Sequence, residues 1–169
     1  GVASGQPLWL GLRIRHQPGW HTYWKNPGET GLPTQMQWHL PPGLAAGEID
    51  WPTPHKIQVG ALTNFGYEGD VLLPVPVKVA ASWAPQGLTV PLRLKASWLV
   101  CRQECIPEEG EFALDLPVGS STAAQVGVFD AAWKDRPLAL PGLHTAAVQG
   151  QQLTLTLQGL PAEWREQPP

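Results

Sequence analysis

The chain has 169 residues, 43% hydrophobic and only 15% charged, which suits one ordinary packed domain, or one domain and part of another. A formal charge of −3 leaves no electrostatic footprint for nucleic acid, and no apolar run approaches the roughly 18 residues that span a bilayer. Eighteen glycines and nineteen prolines cut helices short but suit short strands joined by turns.

Gly1–Gln6 lacks the basic start and apolar stretch of a signal peptide, so a mature or excised segment is expected. Leu8, Leu10, Leu12 and Ile14 alternate with Trp9, Gly11, Arg13 and Arg15, the period of a half-buried strand. Trp20-His21-Thr22-Tyr23-Trp24 packs three aromatics into five residues before the turn-rich Asn26-Pro27-Gly28. Rings with one polar end commonly close a core, the role expected for Trp20 and Trp24. Met36, Trp38 and Leu40 predict another strand, ended by Pro41-Pro42-Gly43. In Asn64-Phe65-Gly66-Tyr67-Glu68-Gly69, glycines flank aromatic side chains on a predicted loop. A large ring left there is expected to cover something.

Val71, Leu73, Val75, Val77 and Val79 form a long alternating run with Pro74 and Pro76 on its opposite face. Prolines deny ladder hydrogen bonds, so this strand is predicted at a sheet edge. The alternation of Leu88, Val90, Leu92, Leu94, Ala96, Trp98 and Val100 continues over a strand long enough to bend. Such runs, separated by Pro/Gly turns, predict an all-β fold, an immunoglobulin-like β-sandwich without the Cys…Trp…Cys pattern of antibody domains. From Ser120 the texture changes. Ser121 is expected to cap a short helix with Val126, Phe129, Ala132 and Trp133 on one side, stopped by Pro137. Leu143–Val148 and Leu153–Leu157 then flank Gly150 like a hairpin. The predicted organisation is a domain over 1–119, then a linker helix and the start of a second β domain over 120–169.

The only two cysteines are Cys101 and Cys105, separated by Arg102-Gln103-Glu104. Zinc is disfavoured, because no second Cys pair or His-x3–5-His element supplies further ligands, and His16, His21, His39, His55 and His144 are scattered. For the two thiols to bond, the chain must turn between them. Residues four apart on one strand lie roughly 13 Å from each other, beyond the 7 Å Cα limit of a disulfide. With β-like Ala96–Val100 before them and alternating Glu111–Leu116 after, a tight hairpin carrying both sulfurs at its base is expected. Cys101 falls out of phase with the apolar face, which predicts an accessible thiol.

A staple over so short a loop gains little, about 2 kcal/mol in the chain-entropy model against nearly 5 for a hundred residues. Closely spaced cysteines suit thiol–disulfide exchange, yet two cysteines in an exported protein are also often a plain structural bond. This arithmetic leaves both readings open. Glu104, Glu108, Glu109, Glu111 and Asp115 disfavour a thiolate, Arg102 opposes them, and a solvated hairpin edge would carry the same acids. Exchange here would depend on a partner's thiolate. No GxSxG, HExxH or phosphate-binding glycine loop supports a hydrolase or kinase. Two thiolates can hold Cu(I), but with Met36 the only methionine and no clustered histidines, metal binding would be incidental.

Several motifs stand in a familiar order. They are Gly19-Trp20-His21-Thr22-Tyr23-Trp24-Lys25-Asn26-Pro27-Gly28, Gly31-Leu32-Pro33-Thr34, Trp51-Pro52-x-Pro54, Asn64–Gly69 and Trp98-Leu99-Val100-Cys101-x3-Cys105-Ile106-Pro107-Glu108. Over roughly Gly1–Val118 the set resembles the N-terminal periplasmic domain of DsbD-family protein-disulfide reductases, especially the ScsB-type members linked to copper tolerance. The later segment resembles the start of the second β domain of longer ScsB-like ectodomains. The resemblance implies a domain without cofactor whose Cys101 and Cys105 shuttle between dithiol and disulfide. Electrons would arrive from a thioredoxin-like domain of the same membrane reductase and leave to a periplasmic thioredoxin-fold protein. It further implies that Phe65, with Tyr67 beside it, shields the cysteines, that Tyr23 lies near the same pocket, and that Cys105 forms the mixed disulfides. The spacing departs from DsbD itself, which has more than three residues between its cysteines. The competing expectation is a binding or adaptor sandwich with a structural disulfide.

Overall fold

A computed structural model describes residues 1–120 and 125–161. Two compact units divide the chain at Arg136 and Pro137.

The first unit is a β-sandwich. One sheet has the order β1-β7-β4, from β1 (Leu8–Arg15), β4 (Leu44–Ala46) and β7 (Asp70–Val79). The other has the order β3-β8-β2-β6-β5, from β2 (His21–Gly28), β3 (Gln35–His39), β5 (His55–Val59), β6 (Leu62–Glu68) and β8 (Thr89–Cys101). Strand β9 (Cys105–Pro117) adds to β8 along its whole length. All these pairings are antiparallel. Alternation explains the layers. Leu10 and Leu12 of β1 are buried while Gly11 and Arg13 face out, and Val90, Leu92, Leu94 and Ala96 of β8 are buried against exposed partners. Leu10, Leu44, Val77 and Val79 of one sheet meet Val90 and Leu92 of the other, with Val2 closing the end. The immunoglobulin-like, all-β expectation agrees with this architecture.

Strand β7 departs from expectation, because it lies between β1 and β4 and not at an edge. Its prolines are tolerated for a local reason. Leu10 pairs with Val75 and Leu8 with Val77, so the backbone of Pro74 and Pro76 points away from β1. On that side β4 pairs only with Val77–Val79. Beyond it, Gly47 N–H donates to Pro76 O and Asp50 N–H to Pro74 O, each at 2.8 Å. The neighbouring chain therefore asks these residues for acceptors alone, which proline supplies.

The expected helix is α1 (Val126–Lys134), which packs against β7 within the first unit. Trp133 meets Trp9 edge-on with ring centroids 5.6 Å apart, and the Arg136 guanidinium stacks over both rings at 5.3 and 5.5 Å while pairing with Asp50. The cap expected at Ser121 lies outside the described residues. In the second unit, β10 (Thr145–Gln149) and β11 (Gln152–Thr156) form the expected hairpin around Gly150, whose φ of 61° suits a two-residue turn. Among the described residues no helix is long and apolar enough to cross a membrane.

Candidate functional site

Cys101 ends β8 and Cys105 begins β9, directly opposite one another in register. The hairpin turn brings their Cα atoms to 4.1 Å, and the two sulfurs are bonded. Between them, Arg102 N–H donates to Glu104 O at 3.0 Å, and the Arg102 guanidinium lies 5.3 Å from the centre of the Trp20 ring. This is the tight turn that the spacing demanded.

The two sulfurs are unequally placed. Cys101 is only 2% exposed, whereas Cys105 is exposed. The accessible thiol expected at Cys101 is therefore corrected. The residue does point away from the apolar face of β8, but β2 covers it there, with His21 paired directly opposite Cys101. Cys105 has no such neighbour, because β9 pairs only with β8.

His21 shares a sheet face with Cys101, and Tyr23, two residues along β2, shares it too. Both are buried, His21 at 2% and Tyr23 at 1% exposure. The Tyr23 hydroxyl lies 3.8 Å from Cys105 Sγ and 3.3 Å from His21 Nε2, and the two rings meet edge-on. Burial lowers the His21 pKa against the opposing pull of Glu68, with His16 adding to the lowering. Burial likewise raises the Tyr23 phenol pKa, with the Thr30 side chain opposing it.

Tyr23 is held by backbone. A Cβ on Gly31 would fall 2.3 Å from the Tyr23 ring, and Gly31 has φ of +94°, so the chain crosses the ring where only glycine fits. Asn64, 1% exposed, fixes that crossing: its Oδ1 accepts from Thr30 N–H and Thr30 Oγ1–H, both at 3.0 Å.

The segment Asn64–Gly69 is thus not the loop that its glycines suggested. Most of it is strand β6, flanked by β2 and β5. Gly66 is needed for close approach, since a Cβ there would fall 2.0 Å from Thr22 O. Tyr67 is buried with its ring stacked on Trp51, and its hydroxyl donates to Pro52 O at 2.8 Å. Phe65 sits opposite Lys56 of β5 and is 37% exposed. The structure brings Tyr23 to the disulfide, seats Tyr67 at Trp51 and Pro52, and leaves Phe65 half exposed on β6. His21, Gly31 and Asn64 were not singled out from sequence as site residues. The alternation His21-x-Tyr23 was the available signal for the first.

Three of the acids along β9 are engaged at the surface. Glu108 accepts from Trp98 Nε1–H at 3.0 Å, Glu109 pairs with Lys95 and Asp115 with Arg93. Among the described residues no group of three or more His, Cys, Asp or Glu side chains gathers to hold a metal.

A two-cysteine hairpin on an immunoglobulin-like sandwich narrows the comparison with known proteins. The family model described as "Thiol:disulfide interchange protein DsbD, N-terminal" matches residues 2–117. The chain belongs to this family. The fold is also similar to that in "Crystal structure of the N-terminal periplasmic domain of ScsB from Proteus mirabilis", with a TM-score of 0.63 and 24% identity over 93% of this chain. The chain spans 60% of the length of that ScsB structure. Comparison with curated proteins returned no match. As a DsbD N-terminal domain, the chain carries its cysteine pair inside the matched region, at the turn end of the β8–β9 hairpin.

Proposed function

We propose that this domain relays electrons by thiol–disulfide exchange at Cys101 and Cys105, as a periplasmic part of a membrane protein-disulfide reductase. The observation that carries the reading is the unequal burial of the two bonded cysteine residues in a chain of this family. A partner's thiolate attacks the sulfur of Cys105, the exposed residue of the pair. The bond to Cys101 breaks, Cys101 leaves as a thiolate and takes up a proton, and a mixed disulfide joins Cys105 to the partner. The partner's second thiolate attacks its own sulfur in that bond and releases Cys105 as a thiolate. Two electrons have moved, and the partner leaves as a disulfide. In the forward relay, Cys105 attacks an acceptor's disulfide, and Cys101 attacks Cys105 to release the reduced acceptor.

The donor in this reading is a thioredoxin-like domain of the same reductase, and the acceptor is a periplasmic thioredoxin-fold protein. The periplasmic placement is supported by the similarity to the N-terminal periplasmic domain of ScsB, and copper tolerance enters only through that similarity. Tyr23 and Phe65 shield the pair from stray thiols, while Tyr67 holds β6 to the Trp51-Pro52 segment. After Gly119 the chain supplies a linker helix, α1, and then the opening of a second β domain, a reading supported by the β10–β11 hairpin.

The deciding experiment is the equilibrium reduction potential of the Cys101–Cys105 pair in defined thiol buffers. A value above about −270 mV is expected of an exchange couple. A value below about −300 mV would make the bond structural and overturn the relay. Phe65→Ala should also speed reduction by small thiols, and an unchanged rate would remove Phe65 from the shield.

A further inference from the structure

From the row of side chains beside the disulfide, we propose that Tyr23 and His21 form a proton relay for Cys105. Tyr23 acts as the catalytic group touching the reacting sulfur, and His21 as a positioning residue working through it. The inference rests on the exchange reading above and deepens it.

The geometry is a short chain of polar atoms, Cys105 Sγ to Tyr23 Oη at 3.8 Å and Tyr23 Oη to His21 Nε2 at 3.3 Å. Both rings are almost wholly buried, so bulk water competes little for Tyr23 Oη and His21 Nε2. In the disulfide, sulfur only accepts. His21 Nε2–H then donates to Tyr23 Oη, and Tyr23 O–H donates to sulfur. In the dithiol the chain reverses, with His21 in its other neutral tautomer, protonated on Nδ1, so that Nε2 is free to accept. The Cys105 thiol gives its proton to Tyr23 Oη while Tyr23 passes its own to His21 Nε2. The products are a Cys105 thiolate and a His21 imidazolium, with no net gain or loss of protons. The thiolate then attacks the acceptor's disulfide.

The surroundings fit this traffic. Burial lowers the His21 pKa, which favours the neutral ring that can accept a proton. Glu68 of β6 pairs with His21 in register and favours the imidazolium, while His16 opposes it. His16 is engaged elsewhere, Nδ1 with Gly69 O at 2.8 Å and Nε2 with the Thr22 hydroxyl at 3.0 Å. Arg102, the one cation in the turn, lies over Trp20.

The test measures the rate at which the reduced domain reacts with 5,5′-dithiobis(2-nitrobenzoate) from pH 5 to 9, for the parent chain, Tyr23→Phe and His21→Gln. Each substitution should slow the reaction at pH 7 at least about tenfold and move the rising limb of the profile to higher pH. Folded variants that keep the parent rate and profile overturn the relay. Should either substitution unfold the domain, the parent chain still decides, through NMR titration of the His21 Cε1 resonance in the disulfide and dithiol forms. A titration that changes between the two forms supports the relay, and identical titrations overturn it. Failure of the exchange reading looks different: a structural reduction potential in the parent chain, whatever the variants do.

Discussion

Breaking the Cys101–Cys105 bond should leave the domain folded, and the structure allows the cost to be worked out. The bond closes a ring of only five residues, Cys101 to Cys105. Loop-closure entropy for that ring is about 2 kcal/mol. The same two strands are zipped without it, through continuous pairing from Thr89 opposite Pro117 to Cys101 opposite Cys105. The core between the sheets also lies away from the sulfurs, around Leu10, Val77 and Leu92. The expected loss is therefore about 2 kcal/mol, or a fall in Tm of roughly 4–8 °C for a domain this size. The assay compares thermal and urea unfolding of the oxidised protein, the dithiol form and the pair Cys101→Ala with Cys105→Ser. Alanine suits the buried position and serine the exposed one. Destabilisation above about 5 kcal/mol, or loss of folding at 37 °C, would refute the argument and make the bond a staple.

Gly31→Ala should combine the strain of a side chain at φ of +94° with a clash against the Tyr23 ring, costing about 2–4 kcal/mol in urea unfolding. By pushing Tyr23 aside, it should also speed reduction of the disulfide by dithiothreitol; a neutral effect on both would sink this account of the crossing. Stability should fall on acidification in two stages. His16 and His21 both titrate lower in the fold than their ordinary value of 6.5, so the folded state binds fewer protons, and stability present above that value is lost below it. Asp70, held low chiefly by its hydrogen bond with Arg13, adds a second loss as pH drops from the ordinary carboxylate value of 3.8 through its own. Urea midpoints between pH 8 and 3 check the sign, and a midpoint that rises from pH 7 to 5 would contradict it. Arg136→Ala should weaken the seat of α1 on Trp9 by about 1–2 kcal/mol, read by urea unfolding, with no change in the rate of disulfide reduction.

The strands of the sandwich were legible because period-2 alternation is a local property. β1 follows it from Leu10 to Arg13 and β8 from Thr89 to Ala96. So was the cysteine turn, since four residues of extended chain cannot close a disulfide. What escaped was set by neighbours distant in sequence. Cys101 points away from the apolar face, as its phase indicates, yet β2 buries it from across the sheet. Gly66 resembles a loop glycine because sequence does not distinguish freedom of φ from lack of room, and here the oxygen of Thr22 takes the room. The two prolines of β7 suggested an edge, but β4 pairs with Val77–Val79 and the chain after it donates to both proline carbonyls. His21 reads as a lone buried histidine until Tyr23 and Cys105 are seen in line with it.

Those prolines have a consequence for behaviour in a crowded compartment. β4 is three residues long, so much of β7 would offer an open rail to any strand arriving from another copy. Pro74 and Pro76 remove the donors from alternate rungs of that rail, and Gly47 and Asp50 already occupy the acceptors. An intruding strand would find neither. The sheet is finished on that side by chemistry instead of by bulk, which guards it against edge-to-edge aggregation.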